Sequence, residues 1–248
     1  MATDIEECGP LLSMFDLEIK KIERSACLST DIESVPDEFT RRVFESGLDW
    51  LAGFIMRPHA ELGRRGAVCP FAKPVHDEGS LVFCAWDVKE LPFEIFLPVL
   101  NRLPALYHRL SSGTPGKSRL FSICIFLNGL KEELYSKYID EAHSMSKPVF
   151  MKAGLMIGEF HPLSMTKGVH SQTFRPMRSS RPVFVVRAIT PHDAMFIDRD
   201  DSPTEVRLRE LLDYRLWVGE VLPEDDILRI EKRIGELRLA IARRSWSR

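Results

Sequence analysis

Leu120-Phe121-Ser122-Ile123-Cys124-Ile125-Phe126-Leu127, closed by Asn128-Gly129, decides the fold. Eight apolar or small residues rich in β-branched and aromatic types, ended by a turn dipeptide, read as a buried strand. Three further runs have the same character: Leu81 to Trp86, Leu155 to Phe160 and Pro182 to Ile189. Between the first two, Phe93, Phe96, Leu97, Leu100, Leu103 and Leu106 form a helical stripe, with a break or kink expected at Pro98 or Pro104. Lys131 to Met145 reads as the next helix. The order strand, helix, strand, helix, strand, strand predicts an α+β fold: a ferredoxin-like antiparallel sheet with helices on one face.

Working outward, residues 1–56 read as an N-terminal helical segment. Asp37 and Glu38 follow Pro36 in a first turn, and Phe39, Val43, Gly47, Leu51 and Phe54 recur at helical spacing until Pro58. Residues 57–198 form the expected core sheet region and 199–248 the C-terminal helices, all within a single α+β domain. Ser202-Pro203-Thr204-Glu205 reads as a capping box, and Thr190-Pro191 as another helix start. Ile227, Ile230, Ile234, Leu237 and Ile241 alternate steps of three and four residues. That seam suits packing on its own domain, with a homodimer contact as the alternative.

The 248 residues carry 34 Lys+Arg against 36 Asp+Glu, a net charge of −2 that argues against a nucleic-acid coat. No apolar run approaches a membrane span, and Asp4, Glu6 and Glu7 sit where a signal peptide would be positive. The reading is a cytoplasmic, globular protein without membrane or nucleic-acid partners. Charge is nonetheless clustered: residues 160–192 hold five basic residues and no acid. Such clustering in a near-neutral chain points to a local anion site.

The connection after Phe160 runs about twenty residues without periodicity, longer than ordinary loops. Lys167, Arg175, Arg178 and Arg181 stand there among Leu163, Met165, Phe174 and Met177, a composition suited to covering a flat, apolar anion. His161, fixed before Pro162 at a strand end, is the candidate metal ligand; His170 and His192 share the neighbourhood without zinc spacing. Five cysteines form no CxxC pair. Cys84 and Cys124 lie in strands and read as core. Cys69, in Val68-Cys69-Pro70-Phe71 and flanked by Arg64, Arg65 and Lys73, is the candidate nucleophile or alternative iron ligand, with His59 or His76 as a helper. Glu132, Glu133, Glu159, Asp193 and Asp198 are unpaired candidate acids or bases. No P-loop, GxGxxG or GxSxG is present.

Leu62-Gly63-Arg64-Arg65-Gly66-Ala67-Val68-Cys69-Pro70-Phe71, then Gly158-Glu159-Phe160-His161-Pro162, then Arg181-Pro182, resemble a bacterial domain family of unknown function. More distantly, the Cys-Pro-Phe block and α+β layout resemble small haem-dependent N-oxygenases that oxidise amine or guanidine nitrogens of amino acids in natural-product biosynthesis. That resemblance implies haem, iron, molecular oxygen and an amino-acid-derived substrate. His161 would be the axial ligand, with Cys69 as the alternative, and Arg175, Arg178, Arg181 and Lys167 would face the haem's anionic groups. Two other classes stay open: a thiol enzyme using Cys69, and a non-catalytic domain binding a small anion or a partner.

Overall fold

A computed structural model describes residues 8–113, 121–168, 171–200 and 202–246. His170 lies outside the described residues. The elements are α1 (Cys8–Arg24), β1 (Cys27–Leu28), α2 (Glu38–Trp50), α3 (Ala72–Asp77), β2 (Leu81–Asp87), α4 (Phe93–Leu100), α5 (Leu103–Gly113), β3 (Ser122–Asn128), α6 (Ala142–Lys152), β4 (Leu155–Phe160), β5 (Val183–Ala188), α7 (Thr204–Val218) and α8 (Glu224–Trp246). Two π-helical segments, Leu51–Ile55 and Ser136–Glu141, continue α2 and precede α6. They fall into two compact units. One draws on Met1–Ser146 and Ile157–Arg187, the other on Lys147–Met156 and Ala188–Arg248.

The five strands form one sheet in the order β1-β2-β3-β5-β4. β2 and β3 are parallel, pairing Leu81 with Ser122 through to Asp87 with Asn128, while β1–β2 and β3–β5 are antiparallel. The sheet is therefore mixed, not the antiparallel ferredoxin-like sheet read from the element order. The cause lies in the β2–β3 connection. It passes through both α4 and α5, and a crossover of that length returns the chain parallel where a hairpin would reverse it.

Helices also cover both faces of the sheet, not one. On the first face, Phe44 of α2 lies between Phe83 and Phe126, with ring centroids 5.6 and 5.9 Å away. Gly47 permits this approach, since a Cβ there would stand 2.2 Å from the Phe126 ring. On the opposite face, Trp86 stacks on Phe96 of α4 at 4.6 Å and donates its indole N–H to Glu18 of α1 at 3.0 Å. Strands buried on both sides read as unbroken apolar runs, which is why β2 and β3 show no polar alternation.

Helix ends differ in detail from the sequence reading. Asp37 caps α2 by accepting the Thr40 N–H at 2.8 Å. The break between α4 and α5 falls at Asn101-Arg102, and Pro104 occupies the first turn of α5, where no N–H is needed. Pro203 directly precedes α7, which starts without a side-chain cap. The expected helix after Thr190 is a short 3-10 segment, Pro191–Phe196, and Asp193 accepts from the Thr190 N–H and hydroxyl at 2.7 and 3.1 Å.

In the second unit, Ile234 and Leu237 of α8 are buried with Leu211, Tyr214 and Val218 of α7, and with Met151, Met156, Ile189 and Ile197. The middle of the α8 seam, Ile230 to Leu237, thus packs within its own unit, in line with the first of the two sequence readings. Asp198, a non-glycine residue at φ 58°, accepts from Arg207 at 2.7 Å and from Arg233 at 2.6 Å. The ion pairs hold a backbone conformation that an unassisted aspartate seldom adopts.

Candidate functional site

The first unit brings the sequence-selected residues to two places. One is the end of β3. The Asn128-Gly129 turn tucks under Lys89, whose Cβ would lie 2.7 Å from a Cβ at Gly129, and Gly129 itself has φ 76°. Glycine is required twice over, by sterics and by backbone sign. Beyond this turn, a pocket of about 380 Å³ is lined by Phe39 and Ser46 of α2, by residues 126–130, by Tyr135, and by Ser180, Arg181 and Pro182. The loop wall is tied to α2: the Trp50 indole donates to the Arg178 carbonyl at 3.0 Å, and the Ser46 and Ser180 hydroxyls stand 3.4 Å apart. At its other end, the Leu127 N–H donates to Pro182 O at 2.9 Å.

Arg181 is the one basic residue of this lining. Its guanidinium makes no hydrogen bond or ion pair with the described residues, although it is half-buried. Tyr135 is buried at 6% exposure, and its hydroxyl likewise has no bonded partner among the described residues. Burial pushes the Tyr135 phenol up, the Glu132 carboxylate adds to this, and Arg181 opposes it.

Behind Tyr135 stands His161, 3% exposed, its ring edge-on to the phenol ring at 5.2 Å. Nε2 is 3.1 Å from Asp140 Oδ1, while Nδ1 is enclosed without a partner. Asp140 belongs to the second π-helical segment, and such segments recur at functional sites because they turn a side chain out of helical register. His161 thus stands at a strand end, as the sequence implied. Its partners Asp140 and Tyr135 were not singled out.

The other loop cations serve the loop itself. Arg178 donates to the Ser164 carbonyl at 3.1 Å, Arg175 to Gln172 O at 2.7 Å and Phe174 O at 3.2 Å, and Lys167 to the Gln172 side chain at 2.7 Å. Phe174 is buried and stacks on His59 at 4.2 Å. The basic loop is a packed, self-bonded structure, and of these four cations Arg181 alone has a head group with no hydrogen bond to the described residues.

The second place is Cys69. Its N–H donates to the Ile55 carbonyl at 2.9 Å, at the end of the first π-helical segment, and the preceding Val68 N–H donates to Arg57 O at 2.8 Å. The thiol is half-buried at the edge of the apolar cluster on the first sheet face, against which Trp50, Phe54, Phe160 and Val185 also pack. Neither expected helper pairs with it: His59 accepts the Glu61 N–H, and His76 meets the Ser29 hydroxyl at 2.7 Å. Arg187 lies over the Phe71 ring at 5.4 Å. Cys84 and Cys124 are buried in the sheet, which pushes both thiols up, Cys84 to about 12.

The candidate acids have other roles. Glu159 is 3.2 Å from His143, Asp193 caps, and Asp198 anchors two arginines. Among the described residues, no cluster of three or more His, Cys, Asp or Glu is arranged to hold a metal ion. No described helix is long and apolar enough to cross a membrane.

A family model for DUF6875, a domain of unknown function, matches residues 44–215. The chain belongs to the DUF6875 family. The match takes in α2 from Phe44 onward, the Cys69 turn, the pocket lining from Ser46 to Pro182, and most of α7. No curated protein and no solved structure matches the chain.

Proposed function

We propose that this DUF6875 protein is a haem-dependent oxygenase acting on a nitrogen of an amino-acid-derived substrate, with the iron held by Cys69 and not by His161. The reading rests on the Cys-Pro-Phe resemblance and on one observation: Cys69 is a half-buried free thiol that borders the same apolar cluster as Trp50, Phe54 and Phe160. An axial ligand needs a free donor atom beside open space. His161 does not fit that need, because Asp140 occupies Nε2 and Nδ1 is enclosed. Cys69 fits by its donor chemistry: a thiolate is an established axial ligand, and an apolar border suits a flat macrocycle. Bound haem would supply oxygen activation, which protein side chains cannot perform.

The chain's own contribution is positional. The Ile55 carbonyl and Pro70 fix the backbone at Cys69, at the border of the apolar cluster on the first sheet face. Arg65 stands exposed near this turn, while Arg57 and Arg64 donate to the Ala52, Arg65 and Val68 carbonyls and brace its backbone.

The test is the absorption spectrum of protein produced with a haem precursor. Wild type and His161→Ala should both show a Soret band, and Cys69→Ser should lose or shift it. Protein that stays colourless and takes up no hemin overturns the proposal. A band that vanishes in His161→Ala but survives in Cys69→Ser overturns the ligand assignment.

The thiol-enzyme alternative has less support, because His59 and His76 are both engaged elsewhere.

A further inference from the structure

We infer that the pocket at the end of β3 binds a small organic monocarboxylate, with Arg181 as its anion-holding residue and Phe39 as an apolar contact at the rim. This site is independent of haem. Three observations converge on it. First, Arg181 is half-buried in the pocket lining and its guanidinium has no bonded partner among the described residues, which leaves its donors free for an anion. A guanidinium holds a carboxylate through two parallel hydrogen bonds, a geometry that lysine cannot reproduce. Second, the other polar lining groups are neutral: the hydroxyls of Ser46, Ser180 and Tyr135 and the Asn128 amide. One cation among neutral groups matches a monoanion. A dianion such as phosphate would remain half-neutralised, with the Glu132 carboxylate near enough to act on Tyr135.

Third, Phe39, 59% exposed, gives the rim one open apolar face, while Phe126, Leu127, Leu130 and Pro182 lie buried behind a mainly polar lining. A volume of about 380 Å³ suits a small ligand, at the lower end of the range for small-molecule sites. The Tyr135 phenol, with an ordinary value near 10 and pushed further up by burial, keeps its proton at neutral pH and can donate to the bound anion. Asp140 and His161 hold the ring that carries this phenol, which makes them positioning residues.

Ligand-observed saturation-transfer NMR on the full-length protein without added haem tests this, with phenylacetate as the probe. Its neutral counterpart 2-phenylethanol and inorganic phosphate complete the set. Phenylacetate should bind, 2-phenylethanol should bind at least about tenfold more weakly, and phosphate should fail to displace phenylacetate. Arg181→Gln should weaken phenylacetate about tenfold or more while its unfolding midpoint stays near wild type, and Arg181→Lys should lie between. Tyr135→Phe should weaken it severalfold, the size of one lost hydrogen bond. Equal binding of the alcohol, unchanged binding in Arg181→Gln, or displacement by phosphate each overturns the inference. Because the measurement needs no iron, its failure leaves the haem proposal standing, and the converse holds too.

Discussion

Replacing Gly47 by alanine tests the packing of α2 on the sheet, which also shapes one wall of the pocket. On helix propensity alone the change should stabilise by up to about 1 kcal/mol, since glycine is the poorer helix former. Packing opposes this. The new methyl carbon would stand 2.2 Å from Phe126 Cζ and 2.7 Å from Cε1, against a normal carbon contact of about 3.5–4.0 Å. The ring cannot simply swing aside, because Phe44 and Phe83 flank it at 5.9 and 5.3 Å. Overpacking of this kind costs about 1–3 kcal/mol, so the balance is a net loss of about 1–2 kcal/mol. Gly53 supplies the control, for it lies in the adjoining π-helical segment with nothing within 4 Å of a methyl group added there. Urea unfolding followed by tryptophan fluorescence should show a lower midpoint for Gly47→Ala and an unchanged or higher one for Gly53→Ala. Adding Phe126→Leu to Gly47→Ala should cost less than the two single effects combined, because the shortened side chain makes room for the methyl. Equal stability of the two alanine variants would refute the account of how α2 meets the sheet.

Other outcomes follow from burial and charge. Tyr214 is buried, donates to Pro191 O at 2.8 Å, and has its phenol pushed up to about 12. The folded state therefore holds this proton more tightly than the unfolded chain, whose phenol titrates near 10. The associated stability is complete below about pH 10 and lost as pH rises towards 12, about 2–3 kcal/mol in all. Thermal unfolding between pH 9 and 11 should fall less steeply for Tyr214→Phe than for wild type; parallel slopes would contradict this. Iodoacetamide at neutral pH should label Cys69 in the folded protein ahead of Cys27, whose thiol burial pushes up, and should reach Cys84 and Cys124 only in denaturant. Peptide mass spectrometry reads the order, and early labelling of either strand cysteine would contradict the double-faced sheet. Asp198→Ala removes the acceptor shared by Arg207 and Arg233 and should destabilise the second unit by about 1–3 kcal/mol, seen as a lower unfolding midpoint. High salt should not rescue it, because the Arg207 side chain is largely shielded from solvent.

The four long strands were legible because each is an apolar run bounded by turn residues, and the limits of β4 agree with the sequence reading to the residue. Strand direction was not legible. It depends on whether the segment from Val88 to Phe121 forms a crossover, which a period in hydrophobicity does not encode. β1 is two residues long and offers no pattern to read. At the site, the sequence placed His161 correctly at a strand end but not its company. Asp140 lies 21 positions earlier in a π-helical segment, and Tyr135 looks like any amphipathic-helix aromatic until its hydroxyl is found facing no partner. The cluster of loop cations was equally visible in the chain. That three of the four turn inward to carbonyl and amide oxygens of their own loop depends on how the segment folds back on itself.

The excursion of Lys147–Met156 into the second unit has a practical corollary for anyone cutting the gene. Neither unit is a continuous stretch of polypeptide, and the family segment 44–215 respects neither. A fragment ending at residue 215 would stop inside α7, before Val218, and would forfeit all of α8, stripping Met151, Leu211 and Tyr214 of Ile234 and Leu237. A fragment beginning at residue 44 would leave the Trp86 indole without the Glu18 carboxylate. Both deletions bare large apolar surfaces, so soluble expression demands the flanking helices even though the shared domain excludes them.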